Sequence, residues 1–133
     1  MSKKSFEENK NEKQQLGSVI AKNRKRKNLS LRQFAKLIDL PPSNLSYIEK
    51  GVNVPTADIY QKIISVLTPS KKDIYYMDHL FSTIRKCPPP DICYILMENN
   101  ELVEKIRKLS NIKLTLEQLN SIDNLFSSFN NQL

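Results

Sequence analysis

The strongest constraint on the fold is the segment from residue 28 to residue 67, where three runs of helical periodicity follow one another with only a few turn residues between them. Apolar residues in these runs recur at spacings of three and four, which is the period of an α-helix rather than of a strand. The whole chain has only two glycines, too few for a fold built on many tight turns and sheets. The sequence therefore predicts an all-α fold.

Turn residues indicate where the helices in this segment begin and end. Ser30 is placed to cap a helix of about two turns. Asp39 stands at the following turn, where a residue with positive φ is needed and an aspartate is acceptable. Pro41 and Pro42 begin the next helix and Gly51 ends it. Two short helices separated by a tight turn are typical of a helix-turn-helix, which places its second helix in the DNA major groove.

The flanking segments predict one helix on each side of this pair. A first helix is expected over residues 12–27, with Leu16, Val19 and Ile20 on its apolar side and Asn28 as its C-terminal stop. A fourth helix is expected to start after Pro55 and Thr56. Its buried side is predicted to consist of Ala57, Tyr60, Ile63, Ile64 and Leu67.

The C-terminal half predicts four more helices. Ser70 and Asp73 form a capping-box-like start for a helix that ends before the prolines at 88–90. Two short helices follow, with predicted inward residues Ile92, Ile95 and Leu96 in one and Leu102, Val103, Ile106 and Leu109 in the other. Thr115 and Gln118 form the cap of a last helix. We therefore expect a mobile tail at 1–11, a helix-turn-helix domain of four to five helices at 12–69, and a helical C-terminal region at 70–133 for dimerisation or partner binding.

The last helix carries an apolar seam with two interpretations. Its members recur at spacings of 3, 4 and 3, as in the a and d positions of a coiled coil; they are Leu119, Ile122, Phe126 and Phe129. The seam either pairs two copies of the chain or packs onto its own domain. The spacing alone leaves both interpretations open, because fewer than three heptads are present.

The net charge of +7 is concentrated in one part of the chain. Residues 13–72 contain 12 basic and 3 acidic side chains, whereas the segments before and after are almost balanced. A local excess of this kind is typical of a domain that binds a polyanion such as DNA. The alternative is a solvated basic face without a ligand.

The residues that would support other functions are sparse. Cys87 and Cys93 lack the spacing of a zinc or redox pair, and His79 is the only histidine. We therefore expect no metal, no cofactor and no enzymatic activity. No apolar run is long enough for a signal sequence or a membrane span, so the expected location is the cytoplasm, without membrane association.

Several positions together resemble the Xre/Cro type of phage-repressor-like helix-turn-helix family. They are Leu29 and Ser30, Phe34 and Ala35, the run LSYIEKG at 45–51, and Pro55 followed by an apolar-periodic helix. The resemblance extends from about Leu16 to Leu67. It implies an ion pair between Arg24 in the first helix and Glu49 before the glycine. An acid near the C-terminal end of a helix also needs a cation on electrostatic grounds.

A recognition helix reads bases with the outward residues of its N-terminal half. The base-reading candidates are Pro42, Ser43, Asn44, Ser46 and Tyr47. The phosphate-binding candidates are the start of the second helix at Leu31, together with Arg32, Lys36, Lys50 and Asn53. The resemblance implies that Leu31 and Pro42 replace glutamines that contact DNA in many relatives, which leaves thymine-methyl contacts and DNA shape as their contributions.

The sequence therefore predicts a sequence-specific transcriptional regulator that binds double-stranded DNA. Because one such unit contacts few base pairs, we expect a homodimeric repressor that reads a palindromic operator with the helix at 42–50. One alternative is an antitoxin-type regulator that also binds a protein partner through its C-terminal region. Another is a helix-turn-helix module that binds proteins and has lost DNA binding.

Overall fold

The computed structural model describes residues 9–130, which form eight α-helices and no strand. This confirms the predicted all-α fold. Of the tail predicted at 1–11, residues 1–8 lie outside the described residues, and Lys10 and Asn11 belong to the first helix. The helices are α1 (Lys10–Arg26), α2 (Leu31–Leu37), α3 (Pro42–Glu49), α4 (Ala57–Leu67), α5 (Lys71–Arg85), α6 (Pro90–Glu98), α7 (Asn100–Arg107) and α8 (Leu116–Asn130).

The chain divides into two compact units after Cys93, within α6. The first unit contains α1 to α5, and α5 packs against α1. The sequence predicts this boundary at residue 69, which would put α5 in the C-terminal region. The structure includes α5 in the first unit because its apolar stripe, Met77, Leu80 and Phe81, is buried in the same core as the helix-turn-helix.

The core of the first unit is built from one apolar stripe of each helix. Its buried members are Leu16, Ile20, Phe34, Ala35, Ile38, Leu45, Ile48, Tyr60, Ile63, Leu67, Met77, Leu80 and Phe81. Most of these residues lie on the sides predicted from periodicity. The prediction that Ala57 is buried was wrong, because Ala57 is exposed. It is the first residue of α4 and lies one turn before the part of the helix that reaches the core.

Two residues whose backbone is in the left-handed conformation lie where the sequence predicts a helix to end or a turn to occur. Asn28 has φ 56° at the end of α1, and Asp39 has φ 54° in the turn between α2 and α3. Thr68 and Lys86 adopt the same conformation at the ends of α4 and α5. Such residues are uncommon at positive φ; the prolines that follow, at 69 and at 88–90, indicate that the helices end nearby but do not predict this conformation.

Helix α1 approaches α3 so closely that Gly17 has no room for a side chain. A Cβ at this position would lie 2.4 Å from the carbonyl oxygen of Glu49 and 2.5 Å from that of Ile48. Both are backbone atoms near the end of α3. Glycine at position 17 therefore sets the distance between α1 and α3.

Polar and aromatic contacts attach α5 to the rest of the first unit. The rings of Tyr60 and Phe81 stack with their centroids 4.3 Å apart, and the Tyr60 hydroxyl donates a hydrogen bond to Asp78 Oδ1. Asn23, which is buried in α1, donates a hydrogen bond of 3.1 Å to Asp73 Oδ2. These contacts join residues far apart in the chain.

The second unit, described over residues 94–130, has the remainder of α6 followed by α7 and α8. No residue from 94 to 129 is buried. Ile95, Leu102, Ile106 and Leu109, all predicted to face inward, are 48 %, 37 %, 43 % and 40 % exposed. Of the residues predicted to face inward in this unit, only Leu96 and Val103 are half-buried, because a unit of this size is too small to enclose a core of its own.

The Gly17 contact predicts an unusual sign for a helical glycine substitution. Inside an exposed helix, glycine to alanine stabilises by about 0.5–1 kcal/mol. Gly17→Ala instead forces a methyl group into the α3 backbone, so we expect a loss of about 1–3 kcal/mol in the free energy of unfolding. Urea denaturation measures the change, with the exposed neighbour Ser18→Ala as control. A variant as stable as the wild type would show that α1 and α3 are not in this contact.

The attachment of α5 predicts a second effect on stability. Tyr60→Phe removes the donor to Asp78 and should cost about 1–3 kcal/mol at neutral pH. Chemical denaturation monitored by circular dichroism measures this loss. Tyr75→Phe, at a tyrosine that is 78 % exposed, should leave stability unchanged, and an equal loss in both variants would contradict the role of the buried hydroxyl.

The same hydroxyl predicts a dependence on alkaline pH. Burial raises the pKa of Tyr60 above its ordinary value, and the hydrogen bond to Asp78 and its charge add to the effect. A raised pKa in the folded state means that the stability contribution is present below about pH 10 and is lost as pH rises further. Wild type should therefore lose more stability than Tyr60→Phe between about pH 9 and 11.

Candidate nucleic-acid interface

Helices α2 and α3 form the helix-turn-helix, and local hydrogen bonds define where they begin. At the start of α2, Ser30 Oγ accepts from the Gln33 N–H at 3.1 Å, and Gln33 Oε1 accepts from the Ser30 N–H at 2.9 Å. This capping box satisfies two backbone donors. In the turn, the N–H of Leu40 donates to the carbonyl of Ala35 at 2.9 Å, and α3 then begins at Pro42.

Helix α3 is anchored by one side and exposed on the other. Leu45 and Ile48 are buried in the core. Of the five predicted base-reading residues, Pro42, Ser43, Asn44 and Tyr47 are exposed and Ser46 is half-buried. The structure therefore brings all five together on one short helix, with the polar side chains available to a ligand.

The carbonyl of Tyr47 organises the loop that follows α3. It accepts hydrogen bonds from the N–H groups of Val52 at 2.9 Å and Asn53 at 3.2 Å. Gly51, with φ +76°, makes the reversal that these bonds require. Lys50 and Asn53, both exposed, are thereby held next to the exposed face of α3.

The other predicted phosphate-binding residues lie on α2, the first helix of the helix-turn-helix. Arg32 and Lys36 are exposed on α2, and within residues 9–130 neither of them forms an ion pair. Leu31 is half-buried and is the first residue of α2, where the backbone N–H has no partner within the helix. Unlike α2, helix α3 has no side-chain cap, which leaves the Ser43 and Asn44 N–H groups directed outward from the helix start.

Arg24 and Glu49 form the ion pair that the sequence analysis expected. Arg24 Nε lies 2.6 Å from Glu49 Oε1, and Arg24 Nη2 lies 3.1 Å from Glu49 Oε2. Both side chains are only about one-tenth exposed, at 12 % and 11 %. Arg24 Nη1 also donates to the carbonyl of Leu29 at 2.9 Å. This bidentate pair therefore links α1, the entry to α2 and the end of α3.

Two further basic residues have partners within the first unit. Arg26 Nη2 donates to the carbonyls of Leu67 and Thr68, at 3.1 and 3.2 Å, and so satisfies the C-terminal end of α4. Lys62 Nζ lies 3.4 Å from Asp39 Oδ2, and the two side chains are 46 % and 80 % exposed. The central positive charge is therefore partly used inside the unit, while Arg32, Lys36 and Lys50 remain exposed.

Two residues that position this site are not among those predicted from the sequence. Gly17 allows α1 to contact the end of α3. It could have been recognised from the sequence, because glycine is unfavourable in the interior of a helix and its presence there calls for a packing reason. Asn23 joins α1 to α5. It could have been recognised from the sequence as a polar residue on the apolar stripe of α1, three positions after Ile20.

Other kinds of site receive no support from the described part of the chain. Among residues 9–130, no group of three or more histidine, cysteine, aspartate or glutamate side chains is arranged to hold a metal ion. Cys87 and Cys93 are both free thiols. None of the helices in the same range has the length and apolar character needed to cross a membrane.

Comparison with known proteins adds one match. The model of a family described as helix-turn-helix matches residues 20–68, from the middle of α1 to the residue after α4. Neither the curated proteins nor the solved structures gave a match. The matched segment includes α2, α3 and the ion pair that joins α3 to α1. Residues 20–68 therefore form a domain that is similar to the Xre/Cro type of helix-turn-helix, which is a DNA-binding regulatory domain.

Proposed function

We propose that this protein is a cytoplasmic transcriptional repressor that binds a palindromic operator as a homodimer and reads it with α3. The observation that carries the proposal is the exposed polar face of α3 on a rigidly held helix. Leu45 and Ile48 anchor that helix from within the core, and the Arg24–Glu49 pair holds its C-terminal end. A reading helix needs this rigidity because base contacts depend on geometry within a fraction of an ångström.

The side chains of α3 differ in what they contribute to base reading. Ser43 and Ser46 donate and accept hydrogen bonds, and the Asn44 amide can pair with adenine through two hydrogen bonds. Tyr47, which is 48 % exposed, reaches a base edge or a phosphate with its hydroxyl. Pro42 offers only apolar contact, suited to a thymine methyl group.

Phosphate contacts fix the register of the helix on the duplex. Arg32, Lys36 and Lys50 supply exposed positive charge around α3, and Asn53 adds a neutral donor. The N–H groups at Leu31 and at the start of α3 add oriented donors that suit a phosphate oxygen. These contacts carry no sequence information but supply much of the affinity, which falls as salt rises.

The second unit supports dimerisation through its apolar surface. Leu119, Phe126 and Phe129 of the predicted seam are 48 %, 57 % and 49 % exposed, and Ile122 is half-buried. A regularly spaced apolar seam on a helix is complementary to a second copy of itself, as a two-fold interface requires. Two copies would also bring two reading helices to the two halves of a palindrome.

An antitoxin-type regulator is the second candidate, since the exposed apolar surface of the second unit also fits a small protein partner. In that case the seam would be covered by a different chain rather than by a copy. A helix-turn-helix module without DNA binding is the third candidate, because Leu31 and Pro42 lack the hydrogen-bonding side chains implied by the resemblance. DNA selection and the oligomeric state distinguish the three.

The proposal predicts selection of one DNA motif by α3. Random duplexes selected at near-physiological salt should enrich a palindrome, and Ser43→Ala and Tyr47→Ala should each weaken its binding by about 1–3 kcal/mol. Fluorescence anisotropy with the selected duplex measures the loss. The matched control is Tyr75→Ala, which removes an exposed tyrosine of α5 and should leave affinity unchanged.

Failure of this prediction has a clear form. If no motif is enriched and the remaining DNA binding vanishes at modest salt, the basic segment binds DNA only non-specifically, through its charge. Enrichment with no effect of the α3 substitutions would assign reading to another element. Either result contradicts base reading by α3.

The seam predicts how the dimer can be broken. Phe126→Asp places a charge in the middle of the seam, where burial against a second copy would be costly. We expect sedimentation velocity to show a dimer for wild type and a monomer for this variant. Ser127→Asp, one position along the same helix and exposed, adds the same charge beside the seam and should remain dimeric. A monomeric wild type, or a dimer in both variants, would exclude the seam as the interface.

A further inference from the structure

The first unit contains a cavity of about 400 Å³ where α5 faces the start of α6. Its walls include the apolar side chains Ile74, Tyr75 and Ile92 and the carboxylates Asp78 and Asp91, with Lys71 also lining it. This volume lies within the range of small-molecule sites, which combine apolar walls with a few polar groups. The cavity lies on α5 and α6, outside the residues proposed to contact DNA.

The two carboxylates give this cavity an electrostatic preference. Asp78, in the middle of α5, accepts the Tyr60 hydrogen bond with Oδ1, which fixes the position of its carboxylate. Burial raises the pKa of Asp78, the Tyr60 hydrogen bond opposes this rise, and the charge of Asp91 adds to it. A cation near both carboxylates would relieve their mutual repulsion.

From this geometry we infer that the cavity is a binding site for a small organic amine. The ammonium group lies near Asp78 and Asp91, and the apolar body of the ligand packs against Ile74, Tyr75 and Ile92. The apolar walls favour an organic cation over a metal ion, as does the absence of a group of three metal-ligating side chains within residues 9–130. An anion is disfavoured by the two carboxylates. This site goes beyond the proposed function and does not depend on DNA binding.

The test compares ligands of equal shape and different charge on the full-length protein. Phenethylamine is the probe, 2-phenylethanol is the neutral match and phenylacetate is the anionic match. Titration followed by protein NMR at pH 7 should show saturable binding of the amine, with shifts at Ile74 and Ile92. We expect the alcohol and the acid to bind at least about tenfold more weakly, since each lacks the ion pair.

Two variants at the cavity should change amine affinity in opposite directions. Asp91→Asn removes one carboxylate and should weaken phenethylamine about fivefold, the scale of a partly exposed ion pair. Lys71→Ala removes a competing positive charge and should tighten the same ligand. Asp78 is left intact because it holds Tyr60. Circular dichroism and a chemical denaturation curve verify that each variant keeps the wild-type fold.

Three results would overturn the inference. Equal affinity for the amine and the alcohol would show that the cavity binds only the apolar part of the ligand and does not recognise the ammonium group. Chemical-shift changes outside α5 and α6 would place binding elsewhere. Affinity for the amine that is the same in Asp91→Asn and Lys71→Ala as in wild type would show that the carboxylates do not select the ligand.

Discussion

The geometry of the first unit depends on the junction between α1 and the end of α3. There the Arg24 guanidinium makes two hydrogen bonds to the Glu49 carboxylate and a third to the carbonyl of Leu29. A glutamate at a helix C-terminus is unfavourable against the helix dipole, and the arginine compensates for it. Both charges are largely withdrawn from water, so loss of either partner would leave an uncompensated charge in a poorly solvated place. Such a pair fixes a geometry more than it adds stability.

Close packing of the α1 and α3 backbones stabilises the same junction. Gly17 lets α1 lie directly against the carbonyls of Ile48 and Glu49, and Gly51 turns the chain away immediately after α3. The exposed face of α3 is therefore oriented by contacts on its opposite side and at its end. This arrangement separates the residues that hold α3 from those proposed to read DNA. The latter can vary without loss of the fold.

The sequence predicted the helices well because their signals are local. Ser30, Thr56 and Ser70 cap helices through hydrogen bonds to residues three positions later, and such spacing is visible in the sequence. An ion pair between Arg24 and Glu49 was also expected, from the family resemblance and from the need of an acid near a helix C-terminus for a cation. The place of α5 was not, because the bonds from Asn23 to Asp73 and from Tyr60 to Asp78 join residues 50 and 18 positions apart. The second unit shows the converse limit, since periodicity identifies an apolar face without identifying what covers it.

We propose that α3, held by this junction, is the element that contacts DNA bases. The most direct measurement is an NMR titration of the isotope-labelled protein with its selected operator duplex. We expect chemical-shift changes concentrated at residues 42–47 and at the start of α2, with little change along α5. Changes confined to α5 or to residues 94–130 would contradict it, because DNA would then be bound by a surface other than the helix-turn-helix.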